Sequence, residues 1–163
     1  MKQFEARTIK IGSNEFAIFP FPAFRAANLS GELLKTAVPL IVGIVPLLKS
    51  DEDISDFGAE EIRAVSDAFS SFDGDAVERL LKKLLIDGKN ITVINEDYPD
   101  GERLTFDLAN EVFCENVQDM YLLALEVIKL NYNGFFVKLT NQYGGAAGRL
   151  SKMAQSVITE NST

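Results

Sequence analysis

With 163 residues, 47% of them apolar and 25% charged, the chain has the size and composition of one folded domain, able to bury roughly 68–70% of its unfolded surface. Acids outnumber bases 24 to 16, for a net charge of −8, which argues against a nucleic-acid backbone or an anionic membrane as the main partner and suits a basic protein. The lack of histidine and the single cysteine, Cys114, remove the usual general base near neutral pH, the Ser-His and Cys-His pairs, the commonest zinc ligand and any internal disulfide.

Phe4 to Ile11 alternates in polarity and predicts a short strand, Gly12-Ser13-Asn14 is turn chemistry, and Glu15–Phe19 returns as the second strand of a hairpin. Pro20 and Pro22 stop that strand, since proline cannot donate to a ladder. Ala23 to Thr36 reads as a helix with Phe24, Ala27, Leu33 and Leu34 as core positions, or as two pieces broken at Ser30-Gly31. In AVPLIVGIVPLLK, Pro39 is tolerable in a first helical turn and Pro46 kinks or ends the helix. This run reads as a buried hairpin of short helices, with an exposed patch for a partner as the alternative.

SDEDISDFGAEE, from Ser50 to Glu61, reads as a solvated loop that ends in a helix start, and Ile62 to Phe69 continues that helix. After Asp73-Gly74, Asp75 and Glu78 form a capping-box-like start to VERLLKKLLID. Val77, Leu80, Leu81, Leu84 and Leu85 share one face of this helix, Glu78 supports Lys82 at i,i+4, and Gly88 ends it. Asn90–Ile94 and Glu102–Phe106 flank the turn Tyr98-Pro99-Asp100-Gly101 and predict a second hairpin. Asp107 is positioned to cap a short helix running through Phe113.

Asn116 to Phe136, NVQDMYLLALEVIKLNYNGFF, predicts the central helix. Asp119, Glu126 and Asn133 fall in one row beside Lys129, interrupted by Leu122, while Val117, Met120, Tyr121, Leu123, Ala124, Leu125, Val127, Ile128 and Leu130 cover the other sides. A helix with one polar stripe rather than one apolar stripe must be largely enclosed. Asn116 is placed to cap it and Gly134 to let the chain turn out. The expected fold is α+β and mainly helical, with helices packed around this C-terminal-half helix and two short antiparallel β-hairpins. Residues 1–150 form a single globular domain, and 151–163 form a polar, flexible tail. The N-terminal stretch has no secretory apolar region, and the apolar run 37–48 is short of the roughly 20 residues a bilayer requires. A soluble intracellular protein is expected.

The residues with chemical potential each have a plainer reading. Asp51 and Asp53 start like a calcium loop, but Asp56 stands where glycine is required and Ile62 where a bidentate Glu belongs. Gly144 to Arg149 lacks the Gly-Lys-Ser/Thr ending of a P-loop and follows no strand. Cys114 sits between Glu111 and Glu115 with no base to favour its thiolate, and reads as a semi-buried small side chain. Asp107, Glu111, Glu115 and Asp119 are explained by the exposed face of a helix. No catalytic residue, metal site or cofactor is predicted.

Three stretches resemble the tail assembly chaperones of long-tailed phages and prophages of Gram-positive bacteria. They are FPFPAFRAANLSGELLKTAVPLIVGIVPLL (19–48), LLKKLLIDGKNITV (80–93) and LTFDLANEVFCENVQDMYLLALEVIKLNYNGFF (104–136). The third is the most specific, and together they run through most of the chain outside the acidic loop and the tail. The resemblance implies a non-enzymatic protein of the bacterial host cytoplasm that keeps the long tape-measure protein soluble while tail-tube subunits polymerise around it. It also implies absence from the finished tail and, in some members, a frameshifted longer form. The implied partner is the tape-measure protein, with the tail tube protein second and self-association open; no nucleic acid or membrane is involved. The alternatives are a minor structural protein, for the tail or for tube completion, retained in the virion, and a small carboxylate enzyme, which would need an acid-lined pocket. No binding motif is carried over from the family. From the residues themselves, the expected partner-binding side chains are Leu40, Ile41, Ile44 and Val45 in the Pro-bracketed run, and Phe135, Phe136 and Tyr143 past the central helix.

Overall fold

The structure, a computed structural model, describes residues 5–36, 43–44, 46–47 and 52–142, with the backbone alone for 34–36 and 135–142. Four strands, β1 (Arg7–Ile11), β2 (Asn14–Ile18), β3 (Ile91–Ile94) and β4 (Glu102–Arg103), form one antiparallel sheet in the order β1-β2-β3-β4. The two expected hairpins are thus joined through β2 and β3, a pairing between segments more than seventy residues apart that no local signal announces. Its register places Ile9, Phe16 and Val93 side by side, with Ile18 opposite Ile91. These five, with Ile11, are buried, whereas Thr8, Lys10 and Glu15 point to solvent, as the two-residue period of a strand demands. Phe19 N donates to Asn90 O at 2.9 Å, and Asn90 Nδ2 donates to Phe19 O at 2.7 Å, carrying the β2–β3 pairing past the last ladder residue.

Helices α1 (Ala23–Thr36), α2 (Ala59–Ser70), α3 (Gly74–Leu81), α4 (Phe106–Val112) and α5 (Val117–Gln142) pack on the buried face. α1 is continuous through Ser30-Gly31. Its core contacts are Leu29 and Leu33, while Phe24 is 93% exposed and Ala27 also faces out. Leu33 is in the core as expected, and the side chain of Leu34 lies outside the described residues; Phe24 and Ala27 are not in the core, because Phe24 lies across the helix from the Leu29–Leu33 pair. α3 starts on Asp73 without the Asp75–Glu78 box; Glu78 instead pairs with Lys82. α3 runs into a π-helical turn, Lys82–Ile86, in which Asp87 N donates five residues back to Lys82 O at 2.9 Å. Arg25 Nη2 donates to the Lys83 carbonyl at 2.7 Å, and Lys83 pairs with Glu32, so α1 is strapped to this turn at two points. α4 is capped by Thr105, whose hydroxyl accepts from Leu108 N at 3.2 Å, rather than by Asp107.

α5 packs against α2, the π turn and β1. It continues through Gly134 to Gln142 rather than turning out there, and two side chains just before Gly134 tie it to α1 and the segment before it. Asn131 Oδ1 accepts from Phe21 N at 2.7 Å, and Tyr132 OH donates to Ala26 O at 2.8 Å. Every residue from Leu122 to Lys129 is buried, the polar ones included; Val117, at the N-terminal end, is exposed. The acidic segment supplies the missing cover. Its 3-10 turn, Ile54–Asp56, and Phe57 insert Ile54 and Phe57 into the core, so the segment is a lid on α5 rather than a solvated loop.

Two glycines separate backbone freedom from packing. A Cβ on Gly31, inside α1, meets nothing within 4 Å, so Gly31→Ala is expected to stabilise by roughly 0.5–1 kcal/mol. A Cβ on Gly88 would lie 2.7 Å from Asn90 Oδ1 and 2.8 Å from the Phe21 ring, so Gly88→Ala is expected to destabilise by roughly 1–3 kcal/mol. Urea unfolding of the two variants checks both signs.

Candidate functional site: an apolar groove beside a buried ionic row

The turns that link α2 to α3, together with the π turn, α4 and the first turns of α5, leave a groove of about 470 Å³. Its floor is Phe69, Leu81 and Leu85, and its walls include Val77, Phe72 and Met120. Phe69 stacks on Tyr121 with centroids 4.8 Å apart and planes 3° apart, which fixes the wall formed by α5. Phe106, 46% exposed, stands at the mouth with Lys82 Nζ 4.6 Å from its ring centroid. Lys82 also bonds Glu78, which holds the Glu78 carboxyl below its ordinary pKa. The leucines of α3 and the π turn that the sequence placed on a buried face thus do two things: Leu80 and Leu84 fill the core, while Leu81 and Leu85 also underlie the groove.

On another side of α5 lies the polar row. Glu126 is fully buried, with Arg7 Nε at 3.5 Å and Lys129 Nζ at 3.8 Å, and neither carboxylate oxygen accepts a hydrogen bond. Desolvation raises its pKa; the two cations oppose that shift, and nearby Asp53 adds to it. Lys129 Nζ donates to the Glu52 carbonyl at 3.1 Å and lies 5.9 Å from the centre of the Phe57 ring, so the acidic segment closes over this charge. Asp53 caps the 3-10 turn by accepting from Ser55 N at 3.2 Å, a bond that lowers its pKa. Desolvation also raises Asp119, whose carboxylate abuts Gly12 in the β1–β2 turn, and pushes Tyr132 up to about 12. This row ties β1 and the acidic segment to α5. It is a packing device with an electrostatic cost.

Of the side chains expected at an interface, Ile44 is buried. Leu40, Ile41, Val45 and Tyr143 lie outside the described residues, as do the side chains of Phe135 and Phe136, whose backbone is helical within α5. Asp51, the glycine-rich stretch 144–149 and the tail 151–163 also lie outside them. Cys114 is exposed rather than semi-buried. Asp107, Glu111 and Glu115 are exposed and do not converge with Asp119 on a pocket. Among the described residues, no group of three or more Cys, Asp or Glu side chains could hold a metal ion, and no helix is long and apolar enough to cross a membrane. The groove was missed in the sequence because its residues come from five separate elements. The one local signal is Phe106, a large aromatic beside a helix cap.

A family model described as phage tail assembly chaperone protein, TAC, matches residues 12–147. The chain belongs to this family. The match takes in all of the groove and all of the polar row except Arg7. No curated protein and no solved structure matches the chain. Membership in the tail assembly chaperones makes an apolar groove, rather than a carboxylate cluster, the feature of interest.

The ionic row makes a prediction about pH. Because the folded state raises the Glu126 pKa above the ordinary 4.5, it binds more protons than the unfolded chain from that value up to the raised one. Stability from this group is therefore present below 4.5 and is lost as pH rises through the raised pKa. Glu126→Gln is expected to reduce the fall in unfolding free energy on going from mildly acidic to neutral pH. Urea titrations at both pH values measure it, and an unchanged slope in the variant refutes the assignment.

Proposed function

We propose that this chaperone binds the tape-measure protein of its phage in the host cytoplasm and keeps it soluble while the tail tube forms around it. The observation that carries the reading is the groove, in a chain that belongs to the tail assembly chaperones. Its walls are Phe, Leu, Val and Met side chains held by a rigid helical frame. An opening of this size lined by apolar groups suits side chains that would otherwise drive aggregation. A long polypeptide awaiting its tube presents such side chains in quantity, and each one covered lowers the fraction able to self-associate. The net charge of −8 keeps the resulting complex soluble.

Co-expression with the tape-measure protein of the same phage tests the proposal. The expected result is a severalfold rise in soluble tape-measure protein and co-purification of the two. Well-expressed proteins that neither co-purify nor change in solubility would overturn it.

A further inference from the structure

We infer that the groove receives one amphipathic helix of the partner, with lysine or arginine residues flanking its apolar face. This inference rests on the tape-measure reading and adds the chemistry of the segment that is bound.

Two observations decide the form of the segment. Every residue lining the groove belongs to a helix or to the turn between two helices, and none belongs to the sheet. An extended segment laid there would find no strand edge for its backbone N–H and C=O groups, and burying them unpaired is costly. A helix satisfies its own backbone and presents only side chains, which is what apolar walls of Phe72, Val77 and Met120 accept.

The charge at the mouth decides the flanks. In the sequence Asp73 and Asp75 flank the lining residue Gly74, Glu78 lines the groove itself, and Asp107 and Glu111 adjoin the lining residues Phe106 and Asn110 of α4, on the opposite side. All five are exposed. Of the cations nearby, Lys82 is held by Glu78 and by the Phe106 ring, and Arg79 alone remains on α3 to offset the acids. The mouth is therefore acidic on both sides of an apolar floor. Such a rim attracts a cationic helix, speeds its encounter and repels an acidic one, with an effect that fades as salt rises.

The test uses the full chain and two synthetic helical peptides that share one Leu-rich face, one flanked by Lys and the other by Glu. Fluorescence anisotropy at low salt is expected to show the Lys-flanked peptide binding about tenfold more tightly, with the gap closing as ionic strength increases. Neutralising the rim with Asp73→Asn, Asp75→Asn, Asp107→Asn and Glu111→Gln should erase that preference. Phe106→Ser should weaken both peptides, and circular dichroism should show each variant folded. Equal affinity for the two peptides, no binding of either, or a preference that survives rim neutralisation would overturn the inference. Tape-measure co-purification separates the two levels. If wild type and all groove variants retain the protein equally, the groove assignment falls and the chaperone reading stands. If wild type fails to retain it while the Lys-flanked peptide binds, the reverse holds.

Discussion

The complete enclosure of the middle of α5 is the constraint on which the other contacts depend. From Leu122 to Lys129 every residue is buried, although two of these residues carry charge at neutral pH in water. A helix buried on all sides needs a neighbour on each of them. The sheet lies along one side through β1, α2 lies on another and the π turn on a third, with the 3-10 segment and Phe57 over the polar row. Most of these neighbours are short elements with little stability of their own. β1 and the π turn have 5 residues each and the 3-10 turn has 3, so their persistence comes from packing rather than from intrinsic propensity.

The polar row shows how this enclosure is specified as well as achieved. Replacing Glu126 and Lys129 by aliphatic residues would avoid the desolvation that raises the carboxyl pKa. Buried charges often cost more than their attraction returns, but they disfavour arrangements in which they would be left alone. Here the Glu126 carboxylate is met by Arg7 from β1 and by Lys129, which in turn reaches the Glu52 carbonyl. A slipped β1 or an open acidic segment would leave a buried charge with less compensation. The row therefore disfavours a slipped register, at some expense in stability.

The groove follows from the same geometry. With α5 occupied elsewhere, its first turns present Met120 and Tyr121 to a space that α2, α3 and α4 approach without closing. The π turn contributes by giving Leu81, Leu84 and Leu85 a spacing that serves the core and the groove floor together. It also turns out the Lys83 carbonyl, which Arg25 takes up. The inner side of the groove is thus buried and packed, while Phe106 and the acidic side chains around it remain solvated. This division leaves a preformed apolar surface with a solvated charged edge.

What the chain determined by itself was the character of its segments. The alternation before Gly12, the apolar face of residues 77–85, the turn at Tyr98-Pro99-Asp100-Gly101 and the nearly all-apolar circumference of the central helix each reflect a local period, and local periods can be read from one strand of text. The family resemblance was legible for a similar reason, since its motifs are contiguous. Only the tertiary structure decided which face of α1 is inside, that β2 pairs with β3, that Ile54 and Phe57 turn an acidic run into a lid, and that Leu122 and the charges beside it lie under cover. It also brought side chains of α2, α3, the π turn, α4 and α5 together around one groove. The physical reason is common to all of these. Burial and pairing are properties of surfaces brought together across many tens of residues, and a side chain carries no local mark of the neighbour that will cover it.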